Sequence, residues 1–576
     1  MTLAPADGGS SPQDTRGGQR ATRVWAHAGD DPRALLARVG LRADAPRSVI
    51  VVSGGAGDLR EPQLSVARAA LGPAVRAASC YTGAAIVDGG TASGVMALLG
   101  EERVRHPDTM PVLLGVAPAG RVEAASAGDD AGAPLDPHHT HFVLADSDEW
   151  GGETPLLAAL ADELAQGAPV VMVLAGGGDG AMEEVRTALR RDWPLFVLEG
   201  TGGLADEIAA AHRGRRGQRR LRRGLDFGDV RPLGCDDPLA LGRSLAWELQ
   251  DQPALKDAWV LFATYDRLAI RLQDVFERFQ GSILVLGVIA TAVALAHDGA
   301  SEGSDEQFLL HWGAVVAPIV VSVLIALANR RAAGKRWVLL RAAAEAVKSE
   351  IYRCRTRTGV YSDAALAGDG APISRSGRLG ERLAAIEGGL IQTDASGGPL
   401  TSYDGALPPA VYGAESRDDG LSDLDPQGYV EIRVADQLAY YDRKVRALDR
   451  RRAALQLVTL AAGGVGALLA AASAEIWVGL TTALAGAALA HLSYLQVDTA
   501  IVAYNQAATQ LSALQREFRA TDGEAPTFEA LVTRGETVLT TELSGWVQQM
   551  TDALAELQAQ QTEAGAKVDR DSGAAA

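Results

Sequence analysis

PVVMVLAGGGDGAMEEV, running from Pro169 to Val185, decides the fold of the N-terminal half. The short apolar run Val170 to Leu174 has strand character, and it stops abruptly in a glycine cluster. GAMEEVRTALRR, starting at Gly180, then takes up a helical pattern. A strand, a glycine turn and a helix in direct succession form the unit from which parallel sheets covered on both faces are built.

The unit recurs on either side. Ser48 to Ser53 (SVIVVS) runs into GGAGD, Ala85 to Val87 into DGGTASG, and Val112 to Val116 into APAG. His141 to Ala145 runs into DSDEWGGE, and Leu195 to Leu198 into EGTGG. Helical stretches such as LLAALADELAQ, from Leu156, lie between them. From Val24 to about Phe227 the chain therefore reads as a Rossmann-like α/β domain with a parallel sheet. In such sheets ligands bind beyond the carboxyl ends of the strands, where these glycine clusters fall.

Glycine lets backbone N–H groups approach phosphate oxygens, and a following helix N-terminus adds partial positive charge. Gly89, Gly90, Thr91 and Gly94 open a helix in this way, as do Gly177, Gly178 and Gly180. Gly54, Gly55, Gly57, Asp146, Glu199, Gly200 and Thr201 complete the ligand-binding candidates at the strand ends. One such cluster is equally well a tight turn; their recurrence along one sheet favours a nucleotide-type ligand. The pattern is not the GxGxxG of dinucleotide dehydrogenases, because Arg60 follows Gly55 and Gly57. A side chain added at Gly90 or Gly178 is expected to block the ligand and leave the fold intact.

Composition narrows the class. In 576 residues, 54 basic against 72 acidic side chains leave a net charge of −18, which argues against nucleic acid as a partner. Cys80, Cys235 and Cys354 form no CxxC pair, so neither a disulfide framework nor a zinc or redox motif is expected, and no cofactor is. The opening MTLAPADGGSSPQDTRGGQR lacks the apolar core of a signal peptide and reads as a disordered tail over residues 1–22.

Four runs, Phe279 to Ala296, Leu309 to Ala328, Ala453 to Ala474 and Ile476 to Leu492, contain no Asp, Glu, Lys or Arg. Each is long enough to cross a bilayer as a helix. Core helices of a large soluble domain are the alternative, but the flanks oppose it. Arg271, Arg278, Arg330, Arg331, Lys335 and Arg336 bracket the first pair, and Arg443 to Arg452 is rich in Lys and Arg before the third run. The connector HDGASEGSDEQF from His297 is acidic. Lys/Arg excess marks the cytosolic side, so both termini are expected in the cytoplasm of a multi-pass protein of the inner or plasma membrane, with both hairpin tips outside. Gly463, Gly464, Gly466, Gly479 and Gly486 would let these helices pack closely. An amphipathic helix, a hairpin and a long amphipathic helix occur twice, starting at Tyr265 and at Gly428.

Two resemblances follow. The repeats resemble the SLATT family of two-helix membrane domains of prokaryotic conflict systems, through the helix ending RTGVY at Tyr361 and the entry helix RVADQLAYYDRK. That likeness implies an effector that forms pores or disrupts membranes when a sensor is triggered, with a defence role against viruses. Residues Val24 to Ala211 resemble the SLOG domain of TRPM channels and bacterial relatives. The resemblance rests on DDPRALLARVG, VVSGGAGDL, GAAIVDGGTASGVMALLGE, GVAPAG, LDPHHTHFVLADSDEWGGE, PVVMVLAGGGDGAMEEV and PLFVLEGTGGLADEIA. It implies binding of adenine-nucleotide derivatives such as ADP-ribose. Other SLOG relatives hydrolyse the glycosidic bond of nucleoside monophosphates through a PGGxGTxxE motif. Here Gly176 replaces the proline and Ala181 the threonine, and no counterpart of that branch's arginine is found. Glu184 aligns with its catalytic glutamate but is equally an acid in a helix's first turns.

The expected layout is a tail (1–22), a SLOG domain (23–235), a first SLATT-like unit (236–361), a linker (362–427), a second SLATT-like unit (428–520) and a C-terminal helix with a disordered tail (521–576). Asp136, His138, His139 and His141 in DPHHTH read as strand-entry hydrogen bonding, with metal binding the alternative. The basic run His212 to Gly224 reads as a lipid or interdomain contact, or as a solvated loop. The expected function is a ligand-gated membrane effector that acts as a homo-oligomer in contact with lipid; the competing one is a membrane-tethered nucleotide glycosidase using Glu184.

Overall fold

The computed structural model describes residues 21–41, 46–57, 59–126, 132–213, 228–298, 305–330, 333–367, 373–405, 418–520 and 528–574. Nearly all of the expected N-terminal tail, most of the basic run and the acidic tip at 299–304 lie outside them. The chain divides into two compact units, Met1–Gln252 with Ser416–Ser422, and Pro253–Glu415 with Asp423–Ala576.

The first unit is built on eight strands: β1 Thr22–Ala26, β2 Val49–Gly54, β3 Ala85–Asp88, β4 Leu113–Pro118, β5 His141–Ala145, β6 Val170–Ala175, β7 Leu195–Glu199 and β8 Val230–Gly234. They pair in the order β1-β5-β4-β3-β2-β6-β7-β8, and every pair is parallel. Alternation sends successive residues to opposite faces. Val49, Val51, Met172 and Leu174 face a core closed by helices α1 (Pro32–Arg38), α5 (Thr154–Ala165), α6 (Asp179–Leu189) and α7 (Gly203–His212). Ile50, Val52, Val171 and Val173 face a second core under α2 (Gln63–Thr82), α3 (Gly94–Arg105) and α8 (Pro238–Leu249). Short α4 (Ala119–Ser126) follows β4.

The structure moves the expected boundary after residue 235. Leu241, Leu245 and Leu249 of α8 are buried in the second core, so this helix belongs to the α/β unit. Part of the expected linker joins it, with Gln250 Nε2 donating to Asp419 Oδ2 at 2.5 Å.

Among the described residues the second unit is built of helices and their connections, with no strand. The first repeat comprises α9 (Pro253–Asp298), α10 (Asp305–Arg330) and α11 (Ala333–Arg355). Within the stretch read as a linker, Ser374 caps α12 (Arg375–Ile391), which buries Leu379, Leu383 and Leu390. The second repeat comprises α13 (Ala435–Ala471), α14 (Val478–Tyr494) and α15 (Val497–Ala520), and α16 (Phe528–Ala574) follows. A buried fork ties α16 to the second repeat. Arg433 Nε and Nη2 donate to Glu536 Oε1 and Oε2 at 3.0 and 3.1 Å, and Tyr429 OH adds a third bond to Glu536. Arg433 and Glu536 are 1% and 0% exposed. Removing either partner would leave an uncompensated buried charge, which is strongly destabilising.

One expectation about glycine changes. Gly90 has φ +67°, and a Cβ there would lie 2.8 Å from Gly115 Cα and 3.2 Å from Phe142. The residue is needed for strand packing, so a side chain there disturbs the sheet itself. Gly180, by contrast, faces open space. Gly90→Ala is expected to destabilise the α/β unit by roughly 2 kcal/mol or more, from left-handed strain plus overlap. Gly180→Ala should leave the unfolding midpoint in urea within the error of wild type.

Candidate functional site

β2 and β6 lie side by side, with Gly54 in register with Ala175. From β2 the chain crosses through α2 to β3 on one side; from β6 it crosses through α6 to β7 on the other. Adjacent strands whose connections leave in opposite directions open a crevice at their carboxyl ends, the usual ligand position in such sheets.

Two glycine loops meet there. Gly55 N–H donates to Ala175 O at 3.1 Å, and a Cβ on Gly55 would come within 3.4 Å of Gly177 N. Val95 N–H donates to Gly55 O at 3.2 Å, so α3 rests on the β2 loop; Gly94, at φ +53°, has no room for a side chain against Gly55 and Ala56. On the other side, the carbonyls of Gly177 and Gly176 accept from Leu204 N and Ala205 N at 2.8 and 3.0 Å. Thr201 Oγ1 accepts from Gly176 N at 2.8 Å and donates to Leu198 O at 2.6 Å. Gly57 and Gly180 face open space, and α6 starts at Gly178 with no side-chain cap.

The sequence candidates therefore divide. Gly54, Gly55, Gly57, Gly94, Gly177, Gly178 and Gly180 surround one crevice. Gly89, Gly90 and Thr91 follow the next strand; Thr91 is buried and its hydroxyl lies 3.0 Å from that of Ser93. Asp146 follows β5, exposed beside His27 at 4.0 Å. Glu199 pairs with Arg213, while the amides of Gly200 and Gly202 donate to Asp206 at 2.6 and 3.2 Å. The polar groups of this last loop are thus engaged within the protein.

Beside the crevice stands a group of acids. Glu184, on α6, accepts from the Ser53 hydroxyl at the end of β2. Burial pushes the Glu184 carboxyl up to about 7; the Ser53 hydrogen bond opposes the shift, and the charges of Glu153 and Asp88 add to it. His139 lies buried between two carboxylates, 2.8 Å from Asp88 Oδ1 and 2.7 Å from Asp136 Oδ2. Burial alone would lower this histidine, but Asp88 and Asp136 raise it to about 9. Asp88 Oδ2, Glu153 Oε2 and Thr154 Oγ1 are buried with no hydrogen-bond partner. Unpaired buried acceptors call for a ligand that carries donors, such as sugar hydroxyls or amino groups.

The rest of DPHHTH is held within the protein. His141 Nδ1 lies 2.7 Å from Thr140 Oγ1, and His138 O accepts from Arg103 at 3.3 Å. Among the described residues no group of three or more His, Cys, Asp or Glu side chains is arranged to hold a metal ion. Ser53, Asp88 and Glu153 were not singled out in the sequence; the DG of VDGG was the only local cue for Asp88, and the other two are joined to the site by contacts distant in the chain.

Among the described residues of the helical unit, four helices are long and apolar enough to cross a membrane. Their apolar windows are only 0% to 11% buried within the chain. This is a multi-pass membrane architecture.

Comparisons with known proteins divide along the same lines. Residues 47–235 match the family described as "SLOG in TRPM, prokaryote". Residues 429–546 match "SMODS and SLOG-associating 2TM effector domain 1", and residues 261–366 match a protein family of unknown function. The SLATT match thus falls on the second repeat and runs into α16, while the first repeat matches a separate family. A mouse transient receptor potential cation channel, subfamily M member 1, is 28% identical over 203 residues, 30% of this chain and 12% of the channel. Mouse member 2 is 29% identical over 205 residues, 29% of this chain and 13% of the channel. The chain thus spans about an eighth of the length of these curated relatives. A solved structure titled as the X-ray structure of TM1055 is 21% identical, with a TM-score of 0.22, covering 33% of this chain and 91% of that one.

The raised Glu184 carboxyl predicts a pH dependence. Between the unfolded value, about 4.3, and about 7, the native state binds more protons than the unfolded one, so stability falls as pH rises through this window. Glu184→Gln should flatten that fall and raise the melting temperature at about pH 8, with little change at about pH 4. Parallel melting curves of variant and wild type across the window would contradict the assignment.

Proposed function

We propose that the chain is a ligand-gated membrane effector. A nucleotide-derived molecule, ADP-ribose or another adenine nucleotide, binds where β2 and β6 end, and the helical hairpins then change the permeability of the membrane. The observation that carries this reading is the joining, in one chain, of a SLOG-type sheet with an open glycine crevice to four apolar helices, two of them in a match to a 2TM effector domain.

The site chemistry suits such a ligand. In this reading phosphate oxygens lie over Gly57 of the β2 loop and over Gly178 and Gly180 at the uncapped start of α6, where helix dipole and backbone amides favour negative charge. Ribose hydroxyls or a base amino group meet the unpaired oxygens of Asp88 and Glu153. The little-buried spans favour several copies assembling around one another in lipid. The match to a SLOG-associating 2TM effector domain fits an effector that acts with a sensor, and the role proposed for it is defence against viruses. Lys/Arg-rich flanks favour a cytoplasmic side for both termini.

Glu184 supports a second reading. A half-buried carboxyl near neutrality, held by Ser53 at the crevice, is suited to acid–base work on a glycosidic bond. Free base released from nucleoside monophosphates by wild type, and lost in Glu184→Gln, would make the chain a nucleotide glycosidase.

Gly180→Val is expected to weaken ADP-ribose or adenine-nucleotide binding by at least about tenfold in calorimetry, because close backbone approach is lost while the fold is kept. Unchanged affinity in a folded variant would move the ligand elsewhere. Asp305→Cys, beside the acidic tip, should react with an impermeant maleimide in intact cells. Reaction only after lysis would reverse the orientation.

A further inference from the structure

The helical unit holds a partly open cavity of about 680 Å³ that neither glycine loops nor nucleotide chemistry explains. Its walls come from both repeats and from α16. Position gives the first clue. Glu277 lies just before the first apolar run, Trp337 shortly after the second, Arg451 just before the third and Leu495 just after the fourth; all four line the cavity. The same-side ends of the four spans therefore converge on one chamber.

Its chemistry gives the second. Arg341 and Glu345 pair at 2.9 Å, Lys348 and Asp436 at 3.9 Å, and Arg451 and Glu277 at 3.3 Å. Two of these, Lys348–Asp436 and Arg451–Glu277, cross from one repeat to the other. Charged walls around a space of this size hold water; a dry cavity is lined by apolar groups. Arg433 Nη1 and Asp436 Oδ1 are buried without a protein partner, on side chains 1% and 6% exposed that line the chamber. A donor and an acceptor left open together suit water and hydrated ions more than one fixed charge.

Next to the Glu277–Arg451 pair the same span ends also carry an apolar cluster. Phe276, Trp337 and Met550 are buried together with Trp546 packed on them, the two indoles 5.3 Å apart. An apolar collar of this kind beside a wet chamber excludes ions by dewetting.

We infer that this cavity is the ion vestibule of the membrane effector, closed at the spans by the collar of Phe276, Trp337, Trp546 and Met550. The inference rests on the membrane-effector reading above. Opening the path requires the collar to part or to become polar.

The test uses the full chain in vesicles of phosphatidylethanolamine and phosphatidylglycerol loaded with potassium chloride. Trp546→Ser makes the collar polar and is expected to release potassium about tenfold faster than wild type with no nucleotide added. In that background Lys444→Glu, which reverses an exposed wall charge, should shift permeability toward potassium over chloride, whereas Arg519→Glu, outside the cavity, should not. A folded Trp546→Ser protein as tight as wild type, or selectivity indifferent to Lys444, overturns the vestibule even where wild type still releases potassium with ADP-ribose. No release from any variant, with or without ADP-ribose, overturns the effector reading and the vestibule together.

Discussion

The parallel pairing of β2 with β6 is the constraint on which the α/β unit depends. Gly54 in register with Ala175 brings two glycine loops level with each other. No side chain fits between the β2 loop and the start of α3, and the β6 loop is latched to α7 through Gly176, Gly177 and Thr201. The loops are thereby fixed by the sheet and by backbone hydrogen bonds. Gly57, Gly180 and the start of α6 remain open, and the proposed ligand would lie over them. Preorganised backbone of this kind needs little ordering when a phosphate arrives.

Much of this was legible in the sequence because buried parallel strands are continuous apolar runs and their ends are marked by glycine. The six strands read from the sequence are the six central ones. The edge strands escaped for a physical reason: β8, VRPLG, contains Pro232 and is only partly buried, so its apolar signal is weak. Helix α8 was assigned to the membrane half because it precedes the long apolar helix, and only its packing on α2 places it with the sheet. Likewise α12 lies in a stretch rich in Gly, Asp and Ser, where composition hides three buried leucines. Glycine is ambiguous by nature. Gly90 and Gly180 look alike in sequence, yet one is pressed against a neighbouring strand and the other faces open space. The acids beside the crevice, Asp88, Glu153 and Glu184, come from the end of β3, the start of α5 and α6, with Ser53 from β2 beside them, and such convergence cannot be read from spacing.

The helical unit combines two environments. The apolar windows bury almost nothing within the chain and so require lipid or further copies. Away from them, the helices cross-brace through charge. Arg433 packs 4.6 Å from the Tyr352 ring centroid and forks onto Glu536, joining both repeats and α16 at one point. Buried charge of this kind fixes one arrangement and penalises others.

A ligand shifts an equilibrium only by the difference in its affinity for the two states, so gating demands that nucleotide bind the open form more tightly. The most direct measurement is potassium release from vesicles containing the wild-type chain, recorded before and after addition of ADP-ribose and related adenine nucleotides. The account requires release that rises with nucleotide and disappears when the chain begins at Pro253, without the α/β unit. Release that is equal with and without nucleotide, in both the whole and the shortened chain, would contradict it.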